Sequence, residues 1–178
     1  DRRFCTIAYV DLITNKITPL NDPAKNASFD GCDMMKEWVN NDECYYFSDQ
    51  DGYRNLYLFN AKTKATKQIT AYKEPLEDAR IVKIGKKNYI FGLPSTPIQT
   101  SMILIDPATN KEVYRNASDQ NYTIGSVKGN VVRVVANNVT TLMKVEDLVV
   151  GKKSVVRKSV LNMPEKVQKE LVQGDVER

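Results

Sequence analysis

Four times along the chain a run of apolar and aromatic residues ends in an acidic or amide residue, and a short polar turn then leads into a second strand-like run. The copies are Ile7-Ala8-Tyr9-Val10-Asp11 into Thr14-Asn15-Lys16, Leu56-Tyr57-Leu58-Phe59-Asn60 into Thr63-Lys64, Met102-Ile103-Leu104-Ile105-Asp106 into Thr109-Asn110-Lys111, and Leu142 to Asp147 into Gly151-Lys152. The anchors Asp11, Asn60, Asp106 and Asp147 lie 49, 46 and 41 residues apart. A repeat of about 40 to 50 residues made only of short strands has the length of one four-stranded propeller blade. It is longer than a hairpin and lacks the helices of ankyrin or tetratricopeptide arrays. The expected fold class is therefore all-β, with antiparallel β-propeller blades of four strands over residues 1–160, amounting to about three and a half blades. The first copy lacks its leading strands, so the chain is read as starting inside a blade, which would leave any secretory leader upstream.

Blade by blade, the second unit carries signals for all its strands: Met34 to Val39, Glu43 to Ser48 with the aromatic run Tyr45-Tyr46-Phe47, Asn55 to Phe59, and Lys67 to Thr70. Between its second and third strands lies Ser48-Asp49-Gln50-Asp51-Gly52-Tyr53. There Asp51-Gly52 supplies the positive-φ position of a tight hairpin. A calcium loop of the EF-hand kind needs glycine at its sixth position, whereas Gly52 is fourth from Asp49, so the hairpin is the better reading. The third unit runs Ala79 to Ile84, a turn at Gly85 to Asn88, and Tyr89 to Gly92; Leu93-Pro94-Ser95-Thr96-Pro97 is expected to be a loop because proline cannot donate to a ladder. The fourth runs Tyr122 to Val127, a turn at Lys128-Gly129-Asn130, and Val131 to Ala136, with Arg133 pointing either to a solvated face or to a central channel. Lys152 to Val160, alternating lysine and arginine with valine, suits an exposed edge strand protected by charge. After it the period changes: Asn162 as cap, Pro164 and Glu165 in the first turn, and Val167 and Leu171 four apart predict a helical connector over 161–178.

Among 178 residues, 26 are basic and 22 acidic, a net charge of +4 spread along the chain, which argues against a nucleic-acid footprint. No apolar run approaches the roughly 20 residues a membrane-spanning helix requires. Cys5, Cys32 and Cys44 lack the C-x-x-C spacing of a zinc site; Cys32 and Cys44 flank one strand and are read either as a disulfide or as free core thiols. Sequons stand at Asn26, Asn116, Asn121 and Asn138.

The chain has no histidine. Ser-His-Asp and Cys-His catalysis and histidine-ligated metals are thereby removed. No G-x-S-x-G elbow, phosphate-cradling glycine loop or dinucleotide fingerprint occurs, although counting leaves a Ser-Lys dyad or a carboxylate pair open. No catalytic, cofactor-binding or metal-ligating residue is assigned, and the chain alone is read as non-catalytic.

Phe47-Ser48-Asp49-Gln50-Asp51-Gly52-Tyr53-Arg54-Asn55-Leu56-Tyr57-Leu58 followed by Lys67-Gln68-Ile69-Thr70 resembles the "SD-DGY-HLYL … LT" blade of the dipeptidyl peptidase IV and prolyl oligopeptidase family. Trp38 is similar to the tryptophan of that blade. Tyr89-Ile90-Phe91, Pro97 and Met102 to Asp106 resemble the blade that follows, Thr140 to Leu148 the last strands of the propeller, and Leu161 through Leu171 the connector leading out of it. Asn55 stands where the family has histidine, and the tryptophan expected after Thr70 is missing. The resemblance implies the N-terminal propeller of a secreted, periplasmic or cell-envelope serine peptidase. Its propeller would govern substrate access and domain or dimer contacts beside an α/β-hydrolase domain that this stretch lacks. The implied partners are a peptide substrate, reached through that hydrolase domain, and in a homodimer a second copy; no cofactor is implied. The family's paired glutamates find no match, since Glu43 lacks their surrounding pattern. Tyr53 and Arg54 fall on the loop side of the hairpin and are the candidate partner or substrate contacts, with simple cover of the blade edge as the plainer role. Propellers of the TolB type, which bind protein or glycan partners without catalysis, share the "SD-DG…LY" signature and are the alternative.

Overall fold

The computed structural model describes residues 7–20, 22, 36–97, 99–118, 120–138, 143–162, 164, 166 and 167. Among them the fold is all-β: 14 strands in four antiparallel sheets, one of two strands and three of four. The chain divides into two compact units, residues 1–77 and 78–178.

In the first unit β1 (Ala8–Asp11) pairs with β2 (Lys16–Pro19). The strands β3 (Lys36–Trp38), β4 (Glu43–Ser48), β5 (Asn55–Asn60) and β6 (Ala65–Gln68) follow as a meander in which each strand pairs with the next. The aromatic run explains why these strands are central. Tyr45, Tyr46 and Phe47 are all buried, so β4 is apolar on both faces. Tyr46, Tyr57 and Phe59 pack with Leu20, and Ile7 and Tyr9 close over them. The Tyr9 ring lies 5.2 Å from that of Phe59, and the Tyr46 hydroxyl donates to the Leu20 carbonyl at 2.9 Å. A two-stranded sheet is marginal alone; here Tyr9 fastens it to the four-stranded one.

The second unit contains β7 (Leu76–Ile84, whose first two residues belong to the first unit), β8 (Lys87–Thr96), β9 (Gln99–Asp106) and β10 (Lys111–Ser118) as one sheet. Its second sheet is β11 (Asn121–Lys128), β12 (Val131–Asn137), β13 (Lys144–Val150) and β14 (Val155–Leu161). The two sheets pack face to face. Phe91, Met102 and Leu104 from one meet Ile124, Val134 and Leu148 from the other in a single cluster.

Three hairpins share one device. Asp11 Oδ1 accepts the backbone N–H of Ile13 and Thr14 at 3.0 and 3.1 Å, Asn60 Oδ1 those of Lys62 and Thr63 at 3.0 Å each, and Asp106 Oδ1 that of Ala108 at 2.9 Å. Four residues after each anchor the chain enters the left-handed region, at Asn15 (φ 53°), Lys64 (φ 57°) and Asn110 (φ 54°). A short carboxylate or amide that bonds the backbone two and three residues ahead sets such a turn. The sequence repeat is therefore a structural one for three copies.

Asp147 does not join them. It lies inside β13, paired in register with Arg133 and Lys158, and the fourth turn is made instead by Gly151, whose N–H donates to the Ser154 carbonyl at 2.7 Å. Two further expectations are corrected. Pro94 lies within β8, not in a loop: pairing skips from Gly92↔Ile103 to Ser95↔Thr100 without a change of register, so the ladder passes over the missing N–H. The outer strand of the second repeat, β6, ends at Gln68 and not at Thr70, because the Thr70 hydroxyl turns inward to accept the Leu56 N–H at 2.9 Å. β14 lies at a sheet edge, as its lysines imply. Arg133 is on a solvated face. Of the expected helical connector, only Lys166 and Val167 are described in helical conformation, with the Val167 N–H donating to the Pro164 carbonyl at 3.0 Å; the rest lies outside the described residues. Cys44 is a buried free thiol, and Cys5, Cys32 and Asn26 lie outside the described residues.

Candidate functional site

The β4–β5 loop, residues 49–54, is the place the sequence singles out. It is a turn because Gly52 takes φ +93° and donates its N–H to the Asp49 carbonyl at 2.9 Å. A Cβ built on Gly52 meets nothing within 4 Å, so its requirement is one of backbone angle and not of space. Gly52→Val should therefore lower stability by about 1 kcal/mol or more through φ strain alone, and Gly52→Asn by less, because asparagine tolerates positive φ. Thermal melts of the two variants check this ordering, and equal melting temperatures would remove the turn assignment.

The flanks of the loop are rigid. Below it Asn55, 2% exposed, accepts from the Thr70 hydroxyl and the Tyr72 N–H at 2.9 Å each, and its amide donates to the carbonyls of Tyr53 and Tyr72 at 3.3 and 3.2 Å. All four hydrogen-bonding positions of one buried side chain are used, which clamps the loop to the strand end beyond β6. The Tyr57 hydroxyl donates to Asp51 Oδ2. Burial first, and then the carboxylate that holds its proton, push the Tyr57 pKa well above its ordinary value.

The two predicted contact residues differ. Tyr53 is 44% exposed, with its ring available to solvent. Arg54 is held: its carbonyl accepts the Leu76 N–H at 2.9 Å and its guanidinium stands 3.7 Å from Glu77. The structure thus places them in one loop with different surroundings, Tyr53 facing outward and Arg54 held by Leu76 and Glu77. An exposed tyrosine ring can stack on a peptide plane or a proline ring, and its hydroxyl can donate to a backbone carbonyl.

A second feature escaped sequence reasoning. Ile7, Tyr9, Leu20, Trp38, Tyr46 and Phe59 line an apolar pocket of about 240 Å³ between β1–β2 and the neighbouring sheet, with the Cys44 thiol in its wall. Trp38 is half-exposed with its ring 6.4 Å from that of Tyr9, and Lys64 Nζ lies 4.2 Å from the Tyr9 ring centroid. Burial raises the Cys44 pKa, which favours the protonated thiol. The signal was present in the repeat: Lys64 is the left-handed residue of the second hairpin, and the turn aims it at the aromatic residue of the first.

No group of three or more Asp, Glu, Cys or His able to hold a metal ion occurs among the described residues. No helix among them is long and apolar enough to cross a membrane. No protein-family model matches the chain, and no curated protein matches it.

Proposed function

We propose that the chain is the propeller part of a dipeptidyl-peptidase-like serine peptidase, non-catalytic in itself, whose β4–β5 loop contacts peptide on its way to a hydrolase domain. The carrying observation is the pairing of an exposed Tyr53 with a loop fixed beneath it by Asn55 and Asp51. An element that only covers a sheet edge needs no such support, whereas a contact surface gains affinity from being ordered beforehand. Three further features support the propeller arrangement. Each four-stranded sheet is a meander in chain order. The hairpins of the first three sheets share one turn device. Consecutive sheets within each unit pack face to face.

The test is a nuclear magnetic resonance titration of the labelled chain with short peptides bearing proline or alanine at the second position. Saturable shifts at residues 49–54, lost in Tyr53→Ala, are expected at about millimolar peptide, together with no hydrolysis of the peptide. Shifts absent from this loop, or hydrolysis abolished by a single Ser or Lys substitution, would overturn the assignment.

A further inference from the structure

In sequence the basic residues are spread along the chain, but the fold of the second unit gathers six of them at one end. Each of its two sheets is a meander, so the β7–β8 turn leaves one end of its sheet, and the β11–β12 and β13–β14 turns leave one end of theirs. Hydrogen bonds tie the three turns together. The Lys83 N–H donates to the Gly129 carbonyl at 2.9 Å and the Val150 N–H to the Asn130 carbonyl at 2.8 Å, while the Asn130 amide donates back to the Val150 carbonyl at 3.0 Å. Lys83, Lys86, Lys87, Lys128, Lys152 and Lys153 stand on or beside these turns, all exposed. None of them makes an ion pair among the described residues. The carboxylates nearest this end are already engaged: Asp106 Oδ1 accepts the Ala108 N–H, Glu112 holds Arg115, and Asp147 holds Arg133.

We infer that this end is a docking surface for an anionic lipid bilayer, bound through the phosphates of its headgroups. Three observations select a membrane over other polyanions. The free charge is all lysine, while the unit's arginines are engaged elsewhere: Arg80 with Asp78, Arg115 with Glu112, Arg133 with Asp147 and Arg157 with Ser118. Ammonium point charges answer to a diffuse negative field, whereas directed recognition of one phosphate favours the arginine fork. The lysines also stand on the tips of turns and not around a groove, so they meet a plane and offer no channel to a single polysaccharide or nucleic-acid strand. No aromatic side chain lies in the three turns, which removes the platform on which bases stack. Neighbouring turns of one sheet stand about 10 Å apart, close to the Debye length of about 8 Å at physiological salt, so the fields of the lysines add. Each lysine should contribute about fivefold to the affinity. Turn tips, unlike sheet faces, stay open when another sheet packs alongside. The surface therefore stands whether or not the sheets are propeller blades.

Co-sedimentation of the full chain with vesicles, of phosphatidylcholine alone or with about a third phosphatidylglycerol, reads the result. The chain should bind the anionic vesicles and leave the neutral ones, and raising the salt from about 0.1 to about 0.5 M should release it. Lys86→Gln with Lys87→Gln, and Lys152→Gln with Lys153→Gln, should each weaken binding at least about tenfold while circular dichroism stays unchanged. Lys158→Gln with Lys166→Gln removes the same charge from positions that β14 carries away from this end, and should change binding by about twofold or less. Failure to bind anionic vesicles overturns the inference, as does equal binding to neutral ones or a loss from the Lys158 and Lys166 pair as large as from the turn pairs. Binding to heparin or duplex DNA without binding to vesicles would give the lysines a soluble polyanion instead, and overturns it as well.

Discussion

Asn55→Ala is expected to destabilise the first unit by about 3 kcal/mol, read as a fall in the denaturant midpoint at unchanged slope. The substitution removes four hydrogen bonds and leaves the Thr70 hydroxyl, 5% exposed as a residue, and the Tyr72 N–H without their shared acceptor. Most of the loss comes from groups stranded away from water, not from the bonds themselves, whose net worth is about 1 kcal/mol each. Asn55→Asp separates the two contributions. It keeps the acceptor for Thr70 and Tyr72 but faces the Tyr53 and Tyr72 carbonyls with a second oxygen, so it too should be costly. A loss below about 0.5 kcal/mol for Asn55→Ala would mean that the loop is not held in the way described.

Phe91→Ala should cost about 3 to 5 kcal/mol in the second unit. Phe91 is 0% exposed and stands where β7–β10 faces β11–β14, so truncation opens a cavity that two packed sheets cannot collapse to fill. Phe91→Leu, which keeps most of the volume, should cost roughly a third as much. By contrast Val156→Ala, on the open face of β14, should stay within about 0.5 kcal/mol. Denaturation of the three variants followed by circular dichroism gives the ordering. Similar losses for Phe91→Ala and Val156→Ala would contradict the assignment of the buried and open faces.

Strand order and class were legible because they are written in local patterns. Glu43–Ser48 is predicted to the residue, since an aromatic run bounded by polar turns admits little else. The hairpins at Asp11, Asn60 and Asp106 were legible for a chemical reason: the anchor's own side chain makes the turn, so the information sits within four residues. Asp147 closes a run that Lys144 and Glu146 interrupt, and what it bonds is Arg133, fourteen residues away; spacing alone cannot separate a turn-making carboxylate from a cross-strand one. Pro94 was misplaced for a related reason. A proline ends a strand only where its nitrogen is needed by a neighbour, and that depends on pairing no local window contains. At the candidate site the turn was readable from Asp51-Gly52, but the clamp beneath it was not. The partners of Asn55, Thr70 and Tyr72, lie 15 and 17 residues onward, and only the folded sheet brings them together.

The central proposal is that the four-stranded sheets are copies of one blade, and a crystal structure of the chain tests it most directly by superposing each sheet on the next. The account predicts that β3–β6 superposes strand for strand on β7–β10, and β7–β10 on β11–β14, with Asn60 falling on Asp106 and the β1–β2 turn at Asp11 on both. Sheets that differ in twist and strand order, with those three residues at scattered positions, would contradict it.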